Sequence, residues 1–296
     1  MKKCFVLVLA ITALLFSHTL HAAETDTIPP SQITIMSWNL KMLPRGGNAF
    51  LHHRPLKRAK LIPKKLMEEN ADVMVFQEMF DGAAVRILKR QLKASYPYCA
   101  GIKNRKVISY KRAGGVIMFS KYPMKEIKSI KYSQCKGIDC IGNKGSLLVE
   151  VEHPLKTLQV LGTHMQAGGG REIKISQYIE AGELLKKYEK EGVPQFAAGD
   201  FNTRNIDTVM YSKLLNALQA ENGEFCTELK CTSDHLLSDM YDFRPDSRNT
   251  VDYVFYKGNG VKPATTTRSV MQYEQQWHKK HKDLSDHFAV VLRMTL

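Results

Sequence analysis

The sequence predicts an α/β domain, and three observations carry that prediction. Short apolar runs of strand character alternate with longer segments whose apolar residues recur at helical spacing. About 270 residues follow the N-terminal leader without a linker, repeat or low-complexity tract, which predicts one large domain. Polar residues recur where the apolar runs end, as expected if a folded sheet collects its strand ends at a common edge.

Residues 1–23 have the layout of a secretory signal peptide: Lys2 and Lys3, an apolar stretch over 4–16, and a polar passage closing on Ala22 and Ala23. That stretch is short for an anchor, and no later run reaches the roughly 18 apolar residues a membrane span needs. The mature chain is therefore expected to be soluble and secreted or periplasmic. Cys4 opens the apolar stretch instead of closing it, the wrong place for lipid attachment. Residues 24–31, with Pro29 and Pro30, read as an extended lead-in, and 32–296 as the folded domain.

Within that domain the pattern predicts a strand over 33–40, a basic amphipathic helix over 54–70, a strand over 72–78 and a helix over 81–95. Strands follow at 115–120, 146–151 and 158–164, then a helix over 172–190 and a strand over 195–200. Residues 226–249 are rich in polar and turn residues and read as a long loop. Strand character returns over 250–257 and 287–294.

The formal charge is +14, and +12 without Lys2 and Lys3. Such a surface favours polyanions, whether nucleic acid, anionic lipid headgroups or acidic glycans, and equally serves solubility. Export makes disulfides reasonable for the five cysteines beyond the leader, and the odd number leaves one unpaired. Cys135 with Cys140 and Cys226 with Cys231 are the expected pairs, each a local staple closing a short loop. Neither spacing has the nearby histidines that would argue for structural zinc.

Chemistry concentrates at the strand ends. Met36-Ser-Trp-Asn39 ends one apolar run with an amide, and Val75-Phe-Gln-Glu78 ends the next with a carboxylate; together they suit one magnesium ion. His164 closes Leu161-Gly-Thr-His164, where it is either a hydrogen-bonded core histidine or a donor to substrate. Ala198-Gly-Asp200-Phe-Asn202 supplies an acid and an amide that face the same way if extended. Asp200 can orient a water, while Asn202 and His164 can donate to phosphoryl oxygens.

Ser285-Asp286-His287 sets a metal ligand beside a general base, and Asp252 is the carboxylate expected to fix the His287 tautomer. A Ser285-based hydrolase is the local alternative, without the Gly-x-Ser-x-Gly elbow of one large class. Carboxylates, amides and two imidazoles gathered at one edge suit a hard divalent cation and a phosphate ester, hence a metal-dependent phosphodiesterase.

In this order Asn39, Glu78, His164, Asp200 with Asn202, Asp252 and Ser285-Asp286-His287 resemble the motifs of the endonuclease/exonuclease/phosphatase superfamily across nearly the whole mature chain. The resemblance implies a DNase I-like four-layer α/β sandwich, two central mixed β-sheets flanked by helices, with the site at one edge. Four segments resemble secreted bacterial sphingomyelinase C and related neutral sphingomyelinases: Glu78-Met-Phe-Asp81, Gly114-Gly115-Val116 with Phe119-Ser-Lys-Tyr-Pro123, Lys136-Gly-Ile-Asp139 with Asn143-Lys144-Gly145, and Gly162-Thr-His164-Met-Gln166-Ala167.

That resemblance implies cleavage of sphingomyelin to ceramide and phosphocholine by in-line attack of a water activated by His287. Glu78 would bind magnesium, with Asn39 and Asp286 in support and Mn or Co as substitutes. His164 and Asn202 would stabilise the pentacoordinate phosphorus, Asp200 would orient the nucleophile or assist the leaving oxygen, and Asp252 would orient His287. Lys144 would meet the phosphate or the membrane, or else decorate the surface. The implied partner is sphingomyelin or another phospholipid headgroup, met at a membrane surface by a monomer in peripheral contact. Trp277, beside Lys279, Lys280 and Lys282, sits either at that interface or in the core.

Three alternatives stand beside this reading. A secreted metal-dependent nuclease fits the charge and keeps nucleic acid as a partner. A phosphoinositide phosphatase shares Asn143-Lys144-Gly145 but has a Trp-Cys-Asp-Arg segment where this chain has Val251-Asp252-Tyr253. A noncatalytic basic membrane-binding protein would have no need for buried carboxylates.

Overall fold

The computed structural model describes residues 32–44, 53–101, 114–241 and 247–296. The expected leader and lead-in at residues 1–31 lie outside the described residues. Two mixed sheets form the centre. The larger takes β1 (Ile33–Met42), β2 (Val73–Met79), β3 (Tyr98–Gly101), β4 (Ile117–Ser120), β12 (Thr265–Met271) and β15 (Ala289–Thr295) in the order β12-β15-β1-β2-β4-β3. The other takes β5 (Met124–Lys131), β6 (Gly145–Glu152), β7 (Thr157–His164), β8 (Gln195–Asp200) and β11 (Asp252–Lys257) in the order β11-β8-β7-β6-β5.

Alternating side chains explain the layers. On β1, Ile33 and Ile35 point between the sheets, where they meet Val73, Val75, Val290 and Leu292 and face Val149, Val160, Phe196 and Val254 of the other sheet. The opposite face of β1, with Met36, Trp38 and Leu40, packs on α1 (Pro55–Glu69) and α2 (Gly82–Leu92) through Ile62, Leu66 and Leu88. The outer face of the second sheet packs on α4 (Arg171–Lys187) and α5 (Thr208–Leu218), where Leu161 and Phe255 meet Tyr178 and Leu214. Each helix hides one face, so the layers run α/β/β/α.

Between them lie the one-turn α3 (Asp139–Gly142), the paired β9 (Ser233–Asp234) and β10 (Arg248–Asn249), and the hairpin β13 (Glu274–His278) to β14 (His281–Asp283). Periodicity located the buried strands but not β5 or β12, which are less regularly apolar, nor α5, although its buried Met210, Leu214 and Leu218 recur at helical spacing. None of the described helices is long and apolar enough to cross a membrane.

One expectation is corrected here and one open alternative is decided. Cys135 and Cys140 are bonded, but Cys226 and Cys231 are free. Cys226 is held against β12, its N–H donating to Arg268 O and its sulfur 3.3 Å from Ser269 Oγ. Cys231 precedes Thr232, which is tied to β10 through Asn249 O, so different strands hold the two thiols. Trp277 is only 6 % exposed, packs in the core beside α1 and donates from Nε1 to Asp283 O at 2.7 Å, which removes it from the surface.

Candidate active site

The register that builds the core also aims the polar residues. Ile33 and Ile35 face inward, so Asn39 does too; Leu158 and Val160 bring His164 to the same side. Phe196 and Ala198 do this for Asp200, and Val254 and Tyr256 for Asp252. His164 pairs with Asp200 across the parallel β7–β8 ladder, and Asp252 pairs with Asp200 across the antiparallel β8–β11 ladder. Adjacent strand ends thereby form one row of imidazole, carboxylate and carboxylate between the sheets.

The larger sheet closes the row from the other side. Asn39 is fully buried and donates from Nδ2 to Glu78 Oε1 at 3.2 Å and to Asp200 Oδ2 at 3.1 Å, tying the sheets together. His287 Nδ1 lies 2.8 Å from Asp252 Oδ2, while Trp38 Nε1 donates to His287 O at 2.8 Å. Ser285 Oγ donates to Asn39 O at 2.6 Å and is itself buried; this hydroxyl serves as a strut and is not placed as a nucleophile.

All eight catalytic and metal-binding residues expected from the sequence, and Lys144 with them, thus gather at one edge, with two differences in detail. Asn202 does not continue β8: its φ is 50°, and its Nδ2 donates to Met165 O at 3.0 Å while its N–H donates to Asp200 Oδ1 at 2.9 Å. Lys144 is no surface residue. It is 7 % exposed, with Nζ 2.9 Å from Asp139 Oδ1, 2.9 Å from His164 Nε2 and 2.8 Å from Met165 O. An ammonium donating to Nε2 leaves the neutral His164 ring its proton on Nδ1.

Sequence reasoning missed two further residues. Lys41, two positions beyond Asn39, turns its ammonium onto Asp286 Oδ2 and lies 5.3 Å from the Tyr241 ring. Its one visible signal is a lysine at the end of an apolar run. Arg58, on a helix whose basic residues suggest a solvated face, is fully buried and donates to His53 O, Leu40 O, Leu284 O and Lys41 O at 2.6–2.8 Å. It clamps the end of β1 to the segment leading into Ser285.

Electrostatics follow from this crowding. Burial, then the nearby Asp286, raises the Glu78 carboxyl above its ordinary range. Burial, reinforced by Asp252, likewise raises Asp200. Asp286 goes the other way: burial opposes ionisation, but Lys41 and His287 outweigh it and hold the carboxyl at about 2. Burial disfavours the His287 imidazolium, yet Asp252, Asp200 and Asp286 outweigh that and push its pKa up to about 10. His164 falls well below 6.5 through burial, with Lys144 and His287 adding repulsion.

The donor set fits a hard divalent cation. Four carboxylates, Glu78, Asp200, Asp252 and Asp286, converge, and Asp252 Oδ1 is buried without a hydrogen-bond partner among the described residues. Ligand atoms of Asp200, Asp252 and His287 lie within 4.8 Å of one another, a second set beside Glu78 and Asp286.

Comparison with known proteins accords with this geometry. Residues 36–287 match the Endonuclease/Exonuclease/phosphatase family. A phospholipase C of Staphylococcus aureus is 26% identical, with 98% of this chain and 96% of that protein covered. A sphingomyelinase C of Listeria ivanovii is 26% identical over 88% of this chain and 86% of its own length. The crystal structure of a Staphylococcus aureus beta toxin variant with bound magnesium ions superposes with a TM-score of 0.78 at 23% identity, covering 90% of this chain and 100% of that one. The shared architecture is the two-sheet α/β sandwich with its flanking helices.

Proposed function

Because the chain belongs to the endonuclease/exonuclease/phosphatase family, we propose that it is a magnesium-dependent phosphodiesterase that hydrolyses sphingomyelin to ceramide and phosphocholine. The observation that carries the reaction class is the His287–Asp252 pair facing Asp200 at an edge crowded with carboxylates. The substrate reading is supported by relatives named sphingomyelinase C that match along most of both chains.

Glu78 and Asp286 would hold the cation, with Mn or Co able to substitute. Asn39 would join them through Oδ1 only after its amide turns, since Nδ2 now faces Glu78 and Asp200. When bound, the cation offsets charge on the diester and on the acids around it. Asp252 accepts from His287 Nδ1, which keeps Nε2 of the neutral ring free to take a proton from water. The new water–phosphorus bond forms as the bond to the ceramide oxygen breaks, and that oxygen takes up a proton as it leaves.

Asp200, whose protonated form burial favours, would orient the water or assist that departure. Asn202, His164 and the adjacent Lys144 would stabilise charge on the phosphoryl oxygens. Residues 1–23 would direct export, leaving a monomeric domain over 32–296 that meets membranes peripherally.

The test is phosphocholine release from sphingomyelin vesicles with magnesium, run beside phosphatidylcholine, phosphoinositide and plasmid DNA. Turnover of sphingomyelin that stops with EDTA is expected. Cleaved plasmid with intact sphingomyelin would move the substrate to nucleic acid.

A further inference from the structure

A cavity of about 220 Å³ adjoins the site, entered beside Asn202 and walled by the turn at 168–170, Arg171, Lys174 and Arg204. Its charge is markedly one-sided. Lys174 is half-buried and donates to the Asn202 carbonyl oxygen, so its ammonium stands between the cavity and the catalytic row. Arg171 spends one nitrogen on Asp207 at 3.0 Å, and its guanidinium stays 66 % exposed with further donors open. The Arg204 guanidinium has no hydrogen-bond partner among the described residues and is exposed. Asp207 is the acid in the lining, and Arg171 already pairs with it.

A trimethylammonium headgroup gains nothing from such a wall. The lining aromatic, Tyr178, is buried with its hydroxyl bonded to Thr203 Oγ1, and three cations would repel a fourth. A second anion would gain charge-assisted hydrogen bonds from two guanidinium forks and an ammonium. We propose that this cavity is an anion subsite that takes a second phosphate group lying next to the scissile diester. The group comes either from a phosphorylated lipid headgroup or from free phosphate. This goes beyond the sphingomyelin reading, whose single phosphate leaves the cavity unfilled, and only the headgroup arm rests on the phosphodiesterase chemistry.

The test uses the full mature protein and the exposed substitutions Arg171→Gln and Arg204→Gln, singly and together. In metal-free protein the carboxylate cluster repels anions, so calorimetric binding of inorganic phosphate reports the cavity. Wild type should bind it, and each substitution should weaken binding roughly tenfold, the scale of one charge-assisted hydrogen bond. With magnesium present, hydrolysis of bis(p-nitrophenyl) phosphate should stay within about twofold in the variants.

The preference for phosphatidylinositol 4-phosphate over phosphatidylinositol should fall about tenfold if a headgroup supplies the anion. Arginine-dependent phosphate binding without any headgroup preference supports the subsite with free phosphate as its ligand. No phosphate binding by wild type, or binding equal in the double variant, overturns the subsite. Loss of bis(p-nitrophenyl) phosphate hydrolysis by wild type would overturn the catalytic reading and leave the phosphate arm to judge the cavity.

Discussion

His287 Nδ1 and Asp252 Oδ2 stand 2.8 Å apart, although 35 positions separate the residues: Asp252 opens β11 of one sheet, and His287 lies just ahead of β15 of the other. The carboxylate selects which imidazole nitrogen carries the proton, so the pair works as one base. Replacement His287→Ala should lower kcat by about 10²–10⁴ with vesicle binding unchanged, and Asp252→Asn should fall in the same range through the wrong tautomer. Turnover at wild-type rates in His287→Ala would remove the base from the mechanism.

The same pair predicts a pH dependence for metal-free protein. The folded His287 pKa is raised above 6.5, so the pair's stabilisation is complete below pH 6.5 and is lost as pH rises toward 10. Denaturant midpoints taken across pH 6–10 should decline for wild type and flatten for Asp252→Asn. An NMR titration of the ring should show a high midpoint that drops when magnesium is added. A midpoint near 6.5 without metal would contradict the ion pair.

Lys41 acts as a tethered cation on Asp286. Because the Asp286 carboxyl is depressed, its stabilising effect is present above pH 4 and lost as pH falls through about 2. Lys41→Met should leave a buried carboxylate unpaired and lower metal-free stability by about 3 kcal/mol, with part recovered on adding magnesium. Thermal melts with and without the cation measure both effects. A variant whose melting point is insensitive to magnesium would separate Asp286 from the metal.

Arg58 satisfies four backbone carbonyls with one fork, a task a lysine ammonium cannot match in geometry. Arg58→Lys should cost about 2–4 kcal/mol, since buried acceptors lose their donors. Chemical denaturation reads the loss, and turnover should fall with it because the end of β1 carries Asn39 and the segment after β14, where Leu284 is held, carries Asp286.

Gly199 shows how tightly the row is built. A Cβ there would lie 2.2 Å from Thr163 O on the neighbouring strand, where backbone cannot yield cheaply. Gly199→Ala should destabilise by about 1–3 kcal/mol and weaken activity by displacing Asp200 from His164. Unchanged denaturant midpoints would show that the two strands can spread.

Much of this protein was legible in one dimension. Alternation of apolar residues placed β1, β2, β7, β8 and β11, and a two-residue period then put Asn39, His164, Asp200 and Asp252 on inward faces near strand ends. Periodicity is local, so the chain by itself determines which residues face the interior and which residue types stand at the rim. Tertiary structure decided the rest. Lys41, Glu78 and Asn202 take left-handed backbone with φ of 46°, 56° and 50°, turns that no local pattern of these residue types announces. Whether Lys144 and Arg58 are solvated or buried, and whether Cys226 meets Cys231, depends on partners distant in sequence, because a charge or thiol takes its state from what the folded sheets bring within a few ångströms.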